Sequence, residues 1–337
     1  MASRRTKAPS IANPASPTAA VGAEFRSHAL RLPAEAAGLR FDQALARALP
    51  QYSRARLRSW IDAGEVQVDG RALRAKDKVL GGEQVRIEAR LPVEDAVAAE
   101  AMPLSVVFKD RALLVIDKPA GLVVHPGAGN RRHTLQNALL ALDPALALVP
   151  RAGLVHRLDK DTSGLLVVAR TPEAHTALVA QMAARAVQRE YLALCTGVMS
   201  GGGTVDEPIG RHRTQRTRMA VRATGRPAVT HYRIARRFRA HTLVRVSLET
   251  GRTHQIRVHL AHVGHPIVGD PVYGGRRRVP AGCSAQLAQE LRTFPRQALH
   301  AARLALVHPT SGRALEFEAP LPPDMQHLLS VLEAEPA

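Results

Sequence analysis

Gly153-Leu-Val-His156-Arg157-Leu-Asp159-Lys160-Asp161-Thr162-Ser163-Gly164 runs without a break into Leu165-Leu-Val-Val-Ala169. The second segment is short, apolar, uncharged and partly β-branched, which predicts a buried strand. The first packs donors, acceptors and titratable groups against the start of that strand. A polar cluster is thereby expected where a loop meets a sheet, a common position for chemistry on a rigid scaffold. On local grounds alone, a solvated turn between two strands accounts for the same residues. The rest of the chain decides between the two.

The 337 residues suffice for about two domains, and a 45% hydrophobic fraction supports a packed core. Lys plus Arg outnumber Asp plus Glu by 47 to 29, a net charge of +18. That excess points to a polyanionic partner, nucleic acid before a membrane surface. No run of about 18 apolar residues occurs, so no membrane span is expected. Aromatic residues make up only 3% of the chain, so bases would stack on arginine planes rather than on an aromatic platform. Cys195 and Cys283 form no CxxC and are expected as buried or free thiols in a reducing compartment. Residues 1–25 carry Arg4, Arg5 and Lys7 among Ala, Pro and Ser, without the apolar core of a signal peptide. They are expected as a disordered basic tail of a cytoplasmic protein.

Residues 38–90 are expected as a small separate unit. Phe41, Ala44, Leu45 and Ala48 have helical spacing, with Pro50 after the last turn. Ser53 is placed to cap a second helix, Arg54 to Ala63, closed by Gly64. Leu57, Trp60 and Ile61 form its apolar stripe, while Arg54 and Arg58 share another face beside Arg56. Arginines so concentrated favour phosphate contact. Val66-Gln-Val68 and Val85-Arg-Ile87 then predict short strands around the Asp69-Gly70 turn. Residues 91–103 read as a linker, and residues 104–330 as the second domain.

That domain opens with strand Ala112–Ile116 running into Asp117-Lys118-Pro119-Ala-Gly121, followed by a helix at Thr134–Leu142. Thr171 is expected to cap a helix to about Ala186, and Gln188–Leu194 to form a strand carrying Tyr191. Residues 211–239 hold ten arginines, among them Arg211, Arg213, Arg216 and Arg218, and no carboxylate. A merely solubilising surface mixes signs, so this is expected as a second phosphate-contact strip. Thr242–Glu249 alternates as a strand. Thr253 is placed to cap a helix ended by Gly264, and Ala298–Val307 with Ala314–Glu318 predicts a hairpin. Helices interleaved with mostly alternating strands favour an α+β fold with a mixed sheet over a doubly wound one.

The chemistry narrows by exclusion. His156-Arg157-Leu-Asp159 lacks the Asn, the Gly-rich loop and the Asp-Phe-Gly of a kinase, and no G-x-S-x-G surrounds Ser163. Gly127-Ala-Gly129 is neither a Walker loop nor a dinucleotide fingerprint. His254, His259, His262 and His265 have no metal-ligand spacing, so neither metal nor cofactor is expected. What remains is a carboxylate flanked by cations in a basic protein. Asp159 is favoured over Asp161 because it adjoins Arg157, and such a carboxylate can serve as a nucleophile.

These motifs together carry a resemblance. His156-Arg157-Leu-Asp159-Lys-Asp-Thr-Ser-Gly164, Asp117-Lys118-Pro-Ala-Gly121, Arg189-Glu-Tyr191 and Gly251-Arg-Thr-His254-Gln255-Ile-Arg257 resemble, in order, motifs of the RluA-type pseudouridine synthases. The unit at 38–90 resembles the S4 RNA-binding module. Val124-His-Pro-Gly-Ala-Gly-Asn130, Thr204-Val-Asp-Glu-Pro208 and the stretch from His265 to Gly275 resemble the branch acting on 23S ribosomal RNA. The resemblance implies a catalytic domain with a central mixed, mostly antiparallel sheet, and isomerisation of uridine to pseudouridine without metal or cofactor. It implies Asp159 as catalytic carboxylate and Arg157 as the group replacing a flipped uridine in the RNA stack. Tyr191 would lie against the base, and Arg257 would pair with Asp159. Further RNA contacts are expected from Arg54, Arg56, Arg58, Lys118, His156, Arg211, Arg213, Arg216, Arg218, His254 and Gln255. The expected partner is the large ribosomal subunit or its precursor RNA, bound by a monomer, with neither membrane nor DNA involved. The alternatives are a non-catalytic RNA-binding assembly factor and a synthase with another ribosomal or transfer RNA target.

Overall fold

The computed structural model describes residues 24–49, 52, 54–91, 97–127, 130–215, 217–275 and 279–335. The expectations for the tail up to residue 23, for Pro50, Ser53 and Arg216, and for the side chain of Arg56 lie outside the described part. Two compact units divide between residues 96 and 97.

The first unit is built from β1 (Glu24–Arg31), α1 (Phe41–Ala48), α2 (Arg54–Asp62), β2 (Val66–Val68) and β3 (Gln84–Leu91). The apolar stripes of both helices bury Phe41, Leu45, Leu57 and Trp60 against Val66, Val85 and Ile87. The sheet order is β1-β3-β2, all antiparallel. Strand β1 starts well ahead of the residue 38 expected as the boundary. Its sequence, with few apolar residues, takes its order from pairing with β3 along its whole length. Asp42 is buried at the start of α1 and accepts from both Arg40 and Arg54. Burial alone would raise its carboxyl, but the bonds from Arg54 and Arg40 outweigh it and hold the carboxyl below the ordinary range. Arg58 pairs with Asp62 one turn on. Two of the expected phosphate contacts on α2 therefore have carboxylate partners within the unit.

The second unit comprises β4 (Ser105–Lys109), β5 (Leu113–Lys118), α3 (Leu135–Leu142), β6 (Ser163–Ala169), α4 (Pro172–Ala183), β7 (Gln188–Thr196), β8 (Gly203–Asp206), β9 (Ile209–Arg211), β10 (Met219–Val221), β11 (Val229–Arg237), β12 (His241–Leu248), α5 (Gln255–His262), α6 (Ala285–Thr293), β13 (Leu299–Val307), β14 (Ala314–Glu318) and α7 (Pro323–Glu333). Part of the expected linker is docked: Asn137 at the start of α3 donates to Ala98 O and accepts from the Glu100 amide.

A nine-stranded sheet runs β4-β5-β6-β13-β7-β12-β11-β8, with β14 also on β13. Among the described residues its one parallel pairing joins β6 to β13, with Ser163 opposite His300 and Gly164 opposite Ala301. Every other pairing is antiparallel. Strand β6 is buried along its whole length, as its uncharged sequence demands. Two glycines fix the loop that precedes it. Gly153 has φ +81°, and a Cβ there would lie 1.9 Å from Ala169 O. Gly164 has φ +111°, and a Cβ there would lie 2.2 Å from Ala301 O. Both positions combine a left-handed backbone with a close main-chain approach that only glycine permits.

Helix α5 departs from expectation at its start. His254, not Thr253, is its N-cap, in the left-handed conformation with φ 57° and no capping bond from its side chain. The Gln255 side chain does the local work, accepting from the Arg252 amide.

Gly164→Ala is expected to destabilise the second unit by about 3 kcal/mol or more. The melting temperature should fall by roughly 6–12 °C. An unchanged melting temperature in calorimetry would contradict the close approach of β6 and β13.

Candidate active site

The loop from Gly153 to Gly164 is held from below through its backbone and through buried Leu154, Leu158, Thr162 and Ser163, with Arg157 and Lys160 left exposed. Lys118, at the end of β5, is fully buried. Its Nζ donates to Pro119 O at 2.7 Å, Leu122 O at 3.0 Å and Lys160 O at 2.9 Å. Burial pulls its pKa down to about 7, yet three carbonyls match the three hydrogens of the ammonium, and the neutral amine would leave one unmet. Lys118 is thus a brace beneath two loops, not the RNA contact expected. The Thr162 amide donates to Asp159 O, Arg296 donates to Asp161 O, and Ser163 Oγ lies 2.9 Å from His300 Nδ1.

Asp159 projects from this braced turn toward α5. Arg257 Nη1 donates to its Oδ2 at 3.0 Å. The same guanidinium clasps Asp270 in bidentate fashion, Nε to Oδ2 at 2.7 Å and Nη2 to Oδ1 at 2.9 Å. Asp270 Oδ1 also accepts from the amides of Val272 and Tyr273. Burial alone would raise the Asp270 carboxyl, but these bonds, Arg257 foremost, hold it low. Burial likewise opposes the Arg257 charge, while Asp270 and then Asp159 push its pKa above the usual arginine range.

His254 stands on the other side of the carboxylate, its Nε2 4.0 Å from Asp159 Oδ1. Its Nδ1 is 2.8 Å from the Tyr273 hydroxyl, which accepts from the Met219 amide. Burial lowers the His254 pKa, so the ring is neutral near pH 7. A hydroxyl that already accepts from Met219 can give its own hydrogen to Nδ1, which leaves the Nε2 hydrogen directed at Asp159.

A cleft of about 870 Å³ opens over Asp159, within the range of pockets that enclose small ligands. Tyr191, Arg157, His156, His254, Gln255 and Arg257 all line it. Tyr191 is 5% exposed, and burial raises its hydroxyl above the ordinary range. Arg157 is exposed. Most of the expected site residues are therefore brought together, but two do other work. His156 Nε2 accepts from the Val167 amide at 3.1 Å, and burial pushes its pKa to about 3, so it ties the loop to β6 as a neutral ring. Gln255 is buried with both ends engaged: Nε2 on Val229 O and Thr230, Oε1 from Thr250 and the Arg252 amide. Gln255 is not free to contact RNA, and His156 has its Nε2 committed to the loop while its buried Nδ1 has no partner.

The arginine strip is also reshaped. Arg222 donates to Arg211 O, Arg237 to Met199 O and Ser200 O, and Arg239 to Gly282 O. Arg236 pairs with Glu333. Arg218 lies against the Tyr273 ring, and Arg213 is exposed. Much of this charge binds the fold's own carbonyls. Asp270 and Tyr273 were missed by sequence reading because Gly269-Asp270-Pro-Val-Tyr273 accounts for itself as a turn. Among the described residues, no group of three His, Cys, Asp or Glu could hold a metal ion.

Residues 112–262 match the family model for RNA pseudouridylate synthase, and residues 39–85 match the S4 domain. The chain is 55% identical to a Xanthomonas campestris protein named ribosomal large subunit pseudouridine synthase D, over 91% of this chain and 92% of that one. A Pseudomonas aeruginosa protein of the same name is 55% identical over 91% of this chain and 96% of its own. The chain belongs to the RNA pseudouridine synthase family. Among solved structures, human RNA pseudouridylate synthase domain containing 4 superposes with a TM-score of 0.53 at 28% identity, covering 68% of this synthase and 93% of the human chain. The α+β architecture with its central mixed sheet is that of the family.

Asp270→Asn is expected to lower kcat for pseudouridine formation by about 100-fold with RNA affinity retained, since a guanidinium displaced by about 1 Å loses that much. Steady-state kinetics beside RNA binding checks this. Stability should also fall in acid. His156 and His241 are held neutral by burial, at about 3 and about 4, so between those values and about 6.5 the unfolded chain binds more protons. Their contribution is complete above pH 6.5 and is lost as pH falls, by up to about 1.4 kcal/mol per pH unit for each ring. Denaturant unfolding at several pH values measures it, and a flat profile would refute the neutral rings.

Proposed function

We propose that this synthase converts specific uridines to pseudouridine in 23S ribosomal RNA, within a hairpin loop of the large subunit, with Asp159 as the catalytic carboxylate. The observation that carries the reading is the geometry at Asp159. Its Oδ2 is tied to Arg257, and the residue lines the cleft together with Tyr191. One oxygen is thus oriented and the other is available to the reacting nucleotide. The names of the relatives, which refer to the large ribosomal subunit, support the choice of RNA.

Reaching a uridine in a structured loop requires extruding it. Arg157, exposed at the cleft, has the planar guanidinium suited to fill the gap left in the stack. Tyr191 lies where the extruded base would rest, and its raised pKa keeps the hydroxyl protonated and able to donate. The isomerisation breaks N1–C1′, turns the uracil, forms C5–C1′, and moves a proton from C5 while N1 gains one. Atoms and electrons balance without redox or phosphoryl transfer. The S4 match and the charge of +18 support a broad RNA footprint.

Asp159→Asn is expected to abolish tritium release from C5-labelled uridine in large-subunit RNA while RNA binding persists. Full activity in that variant would overturn the role given to Asp159. A parent protein that binds the RNA but converts no uridine would favour a non-catalytic assembly factor.

A further inference from the structure

Arg189 precedes Tyr191 by two residues on β7, so both side chains leave the same face of the sheet, and both line the cleft over Asp159. Glu190, between them, faces the other way and pairs with Arg245. The Arg189 side chain is half-buried, and its Nε is buried without a hydrogen-bond partner. The carboxylates that line the cleft are engaged elsewhere: Asp159 with Arg257, and Glu249 with Arg185 and His231. Among the described residues, no carboxylate neutralises Arg189.

The buried Arg189 Nε is a charged group's donor without a partner, and buried polar groups in native proteins normally have one. The missing partner is then a ligand. Gly251 marks where the guanidinium lies, since a Cβ there would come within 3.1 Å of Arg189 Nη1. A side chain at Gly251 would crowd the guanidinium, so the glycine lets it lie against the main chain. A full positive charge with a two-pronged donor set matches the oxygens of a phosphodiester better than a neutral base carbonyl.

We propose that Arg189 is a phosphate-binding residue that grips the phosphodiester beside the extruded uridine while Tyr191 receives the base. This rests on the synthase reading above and adds to it a contact that sets the register of the flipped nucleotide.

The test uses the full chain and the shortest hairpin that the parent enzyme converts, carrying one neutral methylphosphonate immediately 5′ or 3′ of the target uridine. Arg189→Ala is expected to lower kcat/KM on unmodified hairpin by about 10- to 100-fold, the loss of one charge-assisted bond. The slope of log affinity against log salt should fall by about 0.7, one single-strand phosphate contact. One of the two methylphosphonates should weaken the parent by a similar factor and weaken Arg189→Ala no further, while Arg189→Lys recovers part of the loss. The melting temperature of Arg189→Ala should hold or rise, because an uncompensated charge has been removed; a fall would indicate a structural role and overturn the proposal. Equal effects of both methylphosphonates in parent and variant, or an unchanged salt slope, would also overturn it. If the parent converts no uridine, the synthase reading fails on its own, and the salt slope for binding to unmodified large-subunit RNA still decides the phosphate contact.

Discussion

One planar guanidinium joins the two carboxylates on which this site depends. Arg257 spends Nε and Nη2 on Asp270 and Nη1 on Asp159. Those three bonds connect the loop before β6, the start of α5 and the turn after Ile267. A lysine could not replace it, because a point charge on a flexible stem cannot hold two carboxylates in one plane. Asp270, braced by two amides of its own turn, makes Arg257 rigid, and Arg257 in turn makes Asp159 rigid. Preorganisation of this kind places the reacting oxygen before the substrate arrives.

The neighbouring polar groups divide between holding the site and facing the substrate. Lys118, His156 and Gln255 turn inward and satisfy backbone or buried side-chain groups. Arg157, Tyr191, His254 and Asp159 present their chemistry to the cleft. The His254 ring, its pKa lowered by burial, stands 4.0 Å from Asp159 without adding a second full charge beside Arg257.

Much of this was legible in the sequence. The uncharged run of β6, the helix at α3, the Thr171 cap and the alternation of β12 follow from local rules, and the structure places each near its expected bounds. Asp159, Tyr191 and Arg257 emerged from motif order. Residue type could not say which way a polar side chain turns: Lys118 and Gln255 carry the same groups whether they face RNA or a carbonyl. Asp270 was hidden for a related reason, since its turn geometry is sufficient locally while its ion pair is tertiary. The cap of α5 was misplaced because a left-handed His254 carries no sequence mark. Strand β1 was missed because its order comes from β3, more than 50 residues downstream.

The parallel contact between β6 and β13 bears on how the enzyme is made. Strands β6 and β7 share no edge of their own; each is hydrogen-bonded to β13, which begins only at Leu299. Ser163 meets His300 across 137 positions, and Asp159 meets Arg257 across 98. A growing chain emerges from its N-terminus, so it has completed the S4 module and every motif of the active site before the strand that closes the sheet exists. The first unit can therefore complete its fold early, while the sheet of the catalytic unit stays open until β13 is made. The topology thus orders the assembly of the site: the loop carrying Asp159 gains its full support only when β13 joins β6 to β7.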